Sequence, residues 1–294
     1  MAIILADPGF GKTKALAAAV YGLVKSVNQV FMSAPTHAAC DYAVDRLMEL
    51  SKDVTSRVNR IITPCHRLLV VRAYNPEEEL AALMSILRCP ESIKDAAPTP
   101  TSKWQLKNSL AFWVLSALGS AVVPQLGPDD CTKLHSVKRE LEEDKRLVNL
   151  LGLARMEMSW DNYVEKAETL PVGRLKMMMR YVLGKADVVC STPAESTKEP
   201  YVSWKRQSAR GFAIDDASRM SRPDFYSVWG NTMMPCVMAG DSLQLGAEVL
   251  SFDDEVSRGV YRNRHGPDAK ISILEFLQAS GWPVFRMLTP VPLE

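Results

Sequence analysis

The stretch ADPGFGKT, Ala6 to Thr13, has nearly the spacing of the phosphate-binding pattern GxxxxGK[ST]. In that pattern the backbone N–H groups of a glycine-rich loop and of the next helix cradle phosphates. The lysine reaches the β- and γ-phosphates and the hydroxyl holds Mg2+. Pro8, Gly9, Phe10, Gly11, Lys12 and Thr13 fill the corresponding places here. The first glycine is replaced by Ala6, which fits only if its φ stays negative. Further along, Asp215 and Asp216 follow the apolar run GFAI. A strand-end carboxylate such as Asp215 is of the type that anchors Mg2+, directly or through water, and Asp216 is then placed to orient an attacking water. The combined chemistry is that of a Mg2+-nucleoside triphosphate.

Those groups need strands that end side by side and a helix that starts at Lys12. Short apolar runs supply candidate strands: AIIL before Ala6, QVFMS before Ala34, ADVVCST around Val189, GFAI before Asp215, PCVMA before Gly240 and PVFRML near Leu288. Such runs, separated by helical patterns, predict a parallel sheet covered on both faces, with ligands at the carboxyl ends of the strands. The expected fold is therefore α/β, a parallel sheet flanked by helices around a phosphate-binding loop. The middle differs. From about His66 to Lys185 the periodicity is helical, as in PEEELAALMSIL and LHSVKRELEEDKRLVNLLGLARM, interrupted by the linker-like DAAPTPTS at Asp95 to Ser102. This predicts a sheet domain over residues 1–65 and 186–294, with a helical insertion over residues 66–185.

Composition excludes several classes. The chain has 294 residues and a formal net charge of +1, so no overall basic field advertises nucleic acid or an anionic membrane, and any such site is a local groove. Cys40, Cys65, Cys89, Cys131, Cys190 and Cys236 are scattered without zinc-finger spacing and read as reduced thiols of a cytoplasmic or nuclear protein. The longest apolar run, Leu110 to Val123, is shorter than the about 20 residues that cross a bilayer and reads as a buried helix, so no membrane association is expected. Met1 leads straight into AIIL with no charged n-region of a signal peptide, and a chain that begins on its first core strand reads as a fragment. The pair Cys65-His66 has no partner motif and reads as structural. LKMMMRY, Leu175 to Tyr181, reads as core packing, and VKRELEEDKR as a solvated helix face.

The segments DPGFGKT, SAPTHAACDYAVDRL, ADVVCST, IDDAS and MAGDSLQL come in the order of motifs I, Ia, Ic, II and III of superfamily 1 helicases. The chain most resembles the group containing the nonsense-mediated-decay helicase and senataxin. The likeness covers nearly everything outside the helical insertion, which sits where that group carries an extra subdomain. It implies a P-loop NTPase of RecA-like type, with residues 1–65 and 186–294 as an ATP-binding motor domain that uses Mg2+, and a single strand of nucleic acid as partner, RNA favoured over DNA. It gives Lys12, Thr13, Asp215, Asp216, Asp241 and Gln244 places around the nucleotide, with Gln244 as the sensor of the γ-phosphate or its water. An amide that donates and accepts at once suits that task. Pro35, Thr36 and His37 would touch the sugar-phosphate backbone of the strand, although Thr36 also reads as a plain helix N-cap.

The chain departs from the group in places. Asp216 stands where the family has Glu, and a shift of about 1 Å can cost on the order of 100-fold in rate. Ser242-Leu243 replaces Pro-Lys. The second RecA-like domain, with its arginine fingers, and the adenine-reading glutamine before motif I are expected to be absent, so the isolated chain should turn over slowly and not unwind. Two further readings compete: a degenerate nucleotide- or nucleic-acid-binding scaffold without turnover, and an unrelated P-loop enzyme such as a small-molecule kinase. The last leaves APTHAAC and GDSLQL without a purpose.

Overall fold

The computed structural model describes residues 1–61, 64–91, 102–167, 170–230, 232–241, 243–244, 246–249 and 254–289. In chain order the elements begin with β1 (Ala2–Leu5), α1 (Lys12–Val27), β2 (Val30–Ser33), α2 (His37–Val58), β3 (Val70–Arg72), α3 (Pro76–Arg88) and α4 (Leu110–Leu118). Next come α5 (Thr132–Glu143), α6 (Val148–Ala154), α7 (Trp160–Ala167), α8 (Val172–Lys185), β4 (Val188–Ser191), α9 (Pro193–Ser196) and α10 (Tyr201–Gln207). The last are β5 (Gly211–Ile214), α11 (Arg222–Trp229), β6 (Cys236–Gly240), β7 (Glu255–Ser257), β8 (Val260–Tyr261), α12 (Gly266–Lys270), α13 (Ile273–Ala279) and β9 (Val284–Arg286). The chain divides into two compact units, residues 1–47, 191–197 and 209–294 in one, and residues 48–190 and 198–208 in the other.

In the first unit five strands form parallel ladders in the order β2-β5-β6-β1-β9. The apolar runs explain this: β2, β5 and β6 are buried at every position, as strands covered on both faces must be. The register sets Leu5 beside Gly240 and Ile214 beside Met238, so β1, β5 and β6 end at nearly one level. Helix α1 is rich in strong helix formers and turns Leu16, Ala17, Val20 and Val24 inward, each large side chain contributing about 1.5–3 kcal/mol by burial. It stops at Asn28, whose φ of 75° suits asparagine and whose N–H returns to Val24 O at 2.8 Å. Strand β9 lies at the edge of this order, with Val284 and Phe285 exposed.

The second unit is mainly helical, with β3 and β4 paired in parallel, Val70 beside Val188. Strand β3 corrects the expectation of a helical insertion over residues 66–185: within LLVVRAY, Val70, Val71 and Arg72 form a buried strand. Helix α3 starts as its sequence predicts, with Asn75 accepting from Glu77 N and Pro76 in the first turn. The apolar run at Leu110 is a buried helix, but a shorter one: Ser109 caps Phe112 N and Gly119, at φ 69°, ends α4. The long pattern from Leu134 is not one helix. Asp144 interrupts it by accepting from Arg146 N, capping a 3-10 turn between α5 and α6. In α8 the reading of LKMMMRY as core holds for Met178 and Met179 and fails for Met177, which is 63% exposed. Cys65 is structural, its N–H and C=O clasped by the Asn59 amide.

None of the six cysteines forms a disulfide. Among the described residues no helix is long and apolar enough to cross a membrane. Most of the linker-like DAAPTPTS, and Ser242, lie outside the described residues.

Candidate functional site

The loop after β1 is held by its glycines. Gly9 and Gly11 take φ of 80° and 83°, the left-handed region that glycine enters without strain. Phe10 N–H donates to Asp7 O at 3.2 Å, a tight turn between them. Ala6 is not among the non-glycine residues with positive φ, which are Asn28, Asn108, Met156 and Asp216 among those described. Its methyl is therefore accommodated without strain, and it is buried against the end of β6, its N–H reaching Gly240 O at 3.4 Å. Helix α1 begins at Lys12 with no side-chain cap and no acid in its first turn. Its N-terminal amides and the positive end of its dipole are thus open to an anion.

Lys12 Nζ donates to the carbonyls of Ala6 at 3.0 Å and Asp7 at 3.2 Å. It also stands 3.5 Å from Asp241 Oδ2 at the end of β6. That oxygen is buried and accepts no hydrogen bond, so the lysine charge is what balances it. The other Asp241 oxygen accepts Leu243 N at 2.9 Å. From the end of β5, Asp215 Oδ2 accepts the Thr13 hydroxyl at 2.9 Å and Oδ1 accepts Asp216 N at 3.0 Å. Burial raises the Asp215 carboxyl to about 6, against the lowering effect of those two donors. Asp216 is also raised, chiefly by burial. It takes φ 51°, and its Oδ1 accepts from Ser218 Oγ at 3.4 Å.

Lys12, Thr13, Asp215, Asp216 and Asp241 therefore come together from the ends of β1, β5 and β6, which are neighbours in the sheet. Asp7, Pro8 and Gly9 form the exposed rim of the loop and Phe10 is half-buried. Gln244 is not drawn in: it is exposed, its backbone N–H meets Asp241 O at 3.3 Å, and its side chain makes no hydrogen bond among the described residues. Pro35, Thr36 and His37 follow β2 and are half-buried. The β2 and β5 ends adjoin, Asp215 N–H donating to Ser33 O at 2.9 Å. Thr36 Oγ1 accepts Ala39 N at 3.1 Å, the N-cap of α2. On α2, Ala43 and Leu47 are buried, while Arg46 lies 4.8 Å over the exposed Tyr42 ring.

Among the described residues no group of three or more His, Cys, Asp or Glu could hold a metal unaided. The Thr13 hydroxyl and the Asp215 carboxylate are nevertheless hard oxygen donors in contact. That set fits Mg2+, which commonly takes one or two protein ligands and completes its shell with phosphate oxygens and water. Sequence reasoning missed the Lys12–Asp241 pair and the Ser218 bond to Asp216. Only proximity in the fold reveals the first, since no spacing rule links residues more than 200 positions apart, whereas the second is local, between residues two positions apart in DDAS.

A model of the AAA domain family matches residues 1–252. A search of curated proteins gives no significant match. The family match suggests a helicase-type ATPase motor domain. Matched over most of its length, the chain belongs to the AAA domain family.

Proposed function

We propose that the chain is the ATP-binding motor domain of a superfamily 1 nucleic-acid helicase or translocase, in the group of the nonsense-mediated-decay helicase and senataxin. The observation that carries this is the 2.9 Å bond from Thr13 Oγ1 to Asp215 Oδ2, with Lys12 Nζ 3.5 Å from Asp241. It gathers a phosphate-binding lysine, a cation-binding hydroxyl and two strand-end acids from three separate segments. Lys12 and the loop amides from Gly9 to Thr13 would bind the phosphates. Thr13 and Asp215 would hold Mg2+, which supplies charge neutralisation at the transferring phosphoryl group. Asp216 would take the proton side of the attacking water, with Gln244 beside it. Pro35, Thr36 and His37 would border a single strand, RNA ahead of DNA by the group likeness. Residues 66–185, mainly helical but with β3 among them, would be the insertion, and the setting cytoplasmic or nuclear. An arginine finger from a second RecA-like domain would raise turnover by about 10³ to 10⁵.

One observation favours the scaffold reading: Asp216 is one methylene shorter than glutamate and its carboxylate is already engaged by Ser218. Titration of a fluorescent ATP analogue with Mg2+ into the wild type and Lys12→Ala tests the main proposal. Binding by the wild type, weakened in the variant by about 10- to 100-fold, is expected, since a charge-assisted hydrogen bond contributes about 1.5–3 kcal/mol. Equal affinity of the two removes Lys12 from the site. Turnover stimulated by a single strand then separates motor from scaffold.

A further inference from the structure

The family match ends at residue 252, yet the chain beyond it reaches both turns of the site. Beside β1, Met287 N–H donates to Leu5 O at 2.8 Å, one residue before Ala6. On the other side Ile273 N–H donates to Met220 O at 3.0 Å, closing the turn that starts at Asp216, and Ser221 bridges Ser272. Leu274, fully buried, then lies over Gly240. A Cβ on Gly240 would stand 2.7 Å from Leu274 Cδ2, 3.1 Å from Ser218 N and 3.5 Å from Ala217 N. Gly240 is absent from the glycines with positive φ, so this position needs glycine for space and not for backbone angle.

Helix α13 is itself anchored. Ser272 and Glu275 form a capping box at its start. Arg222 of α11 pairs with Asp268, donates to its carbonyl at 2.8 Å, and lies 5.1 Å over the Phe276 ring. What this holds is a turn with an unusual residue. Asp216 sits at φ 51°, where a non-glycine residue persists only when its surroundings over-determine it. Ala217 N–H to Ala239 O at 2.9 Å and Arg219 N–H to Asp216 O at 3.0 Å are two such constraints, and the Gly240–Leu274 contact closes the third side.

We propose that α13, through Leu274 packed on Gly240, is the positioning element of the Asp215–Met220 turn, setting where the two carboxylates stand against a Mg2+-nucleotide. Leu274 acts through the turn and is a positioning residue, and the nucleotide half of the statement rests on the function proposed above.

The test uses the full chain as Gly240→Ala, Leu274→Ala, the double variant Gly240→Ala with Leu274→Ala, and Leu274→Met. Amide hydrogen exchange at Ala217 and Ser218 is read without nucleotide, and affinity for a fluorescent ATP analogue is read with Mg2+ and with EDTA. Gly240→Ala is expected to speed exchange at the turn by tenfold or more, on the order of a 1.4 kcal/mol loss of local protection. It should also abolish the gain in affinity that Mg2+ gives, with a smaller loss of the EDTA value, because the atoms nearest the added methyl belong to Leu274, Ser218 and Ala217 and not to the loop of Lys12. Leu274→Ala, which removes the packing, is expected to speed exchange at the turn in the same direction. The double variant should recover part of both readouts, since the added methyl fills space left by Leu274 Cδ2 while Ser218 N still stands 3.1 Å from it, and Leu274→Met should behave as wild type. If Gly240→Ala folds poorly alone, recovery in the double variant carries the same information. Unchanged exchange in Gly240→Ala, or no recovery in the double variant, overturns the proposal. A wild type that binds no nucleotide overturns the function proposed above, while the exchange result still decides the role of α13.

Discussion

Two buried carboxylates, one in each compact unit, are treated in opposite ways by the fold. Glu79 on α3 has each oxygen doubly engaged: Oε1 accepts Tyr74 N at 3.4 Å and Leu110 N at 3.2 Å, and Oε2 accepts Trp104 Nε1 at 3.2 Å and Ala111 N at 3.0 Å. Asp215 accepts only one donor per oxygen. A carboxylate offers about four lone-pair sites, so Glu79 is saturated by its own chain and Asp215 keeps capacity for something else. Burial raises both, Glu79 to about 7 and Asp215 to about 6, and in both cases it outweighs the donors that pull the other way. The difference teaches that burial and a raised pKa do not mark a functional acid by themselves. The count of internal donors separates these two: Glu79 has its lone pairs filled, and Asp215 accepts one donor per oxygen among the described residues.

Replacing each acid is the sharpest way to break that contrast. Glu79→Ala strands four N–H donors in the interior, including the first turn of α4, and is expected to lower stability by about 3–5 kcal/mol in urea unfolding. A loss under about 1 kcal/mol would mean that Glu79 is not the centre of that unit.

Asp215→Asn should move the other way. An unfolded carboxylate titrates near 4, so between about pH 4 and 6 the folded Asp215 keeps a proton that the unfolded chain has released, and stability falls as pH rises through that window. Asparagine removes this loss, raising stability above pH 6 by about 1–3 kcal/mol while abolishing Mg2+-dependent nucleotide binding. Glu79 gives the wild type a parallel decline that extends to about pH 7, which the Asn variant retains. Urea midpoints from pH 4 to 8 read both slopes.

The smallest effect belongs to the exposed rim. Gly9 has left-handed φ but open space where a Cβ would stand, so Gly9→Ala meets strain and no clash. Its cost of about 1 kcal/mol should appear as a slightly lower unfolding midpoint, with nucleotide affinity weakened by no more than about fivefold.

Much of the first unit was legible because its strands are bare apolar runs that stop at polar residues, and the glycine loop announces itself by spacing. Strand β3 was not, since three buried residues carry no period of their own and sit among helical patterns. The break at Asp144 had a signal that was passed over: an aspartate two residues before Arg146 is a ready cap, and the charge pattern of a continuous helix hid it. At the site, the residue types were readable and their pairings were not. Nothing near Gly240 in the chain hints at Leu274, because the contact depends on a segment that returns to the sheet more than 30 residues later.

The methionine triplet of α8 carries a further consequence, in the chemistry of ageing. Three adjacent thioethers with equal intrinsic reactivity meet oxidant unequally, because the helix turns Met177 to solvent and Met178 and Met179 inward. Met177 becomes the sulfoxide first, at a surface where added polarity costs little. The inner pair stays reduced until α8 leaves its packing, so the oxidation state of three consecutive residues records whether this unit has opened during the life of the molecule.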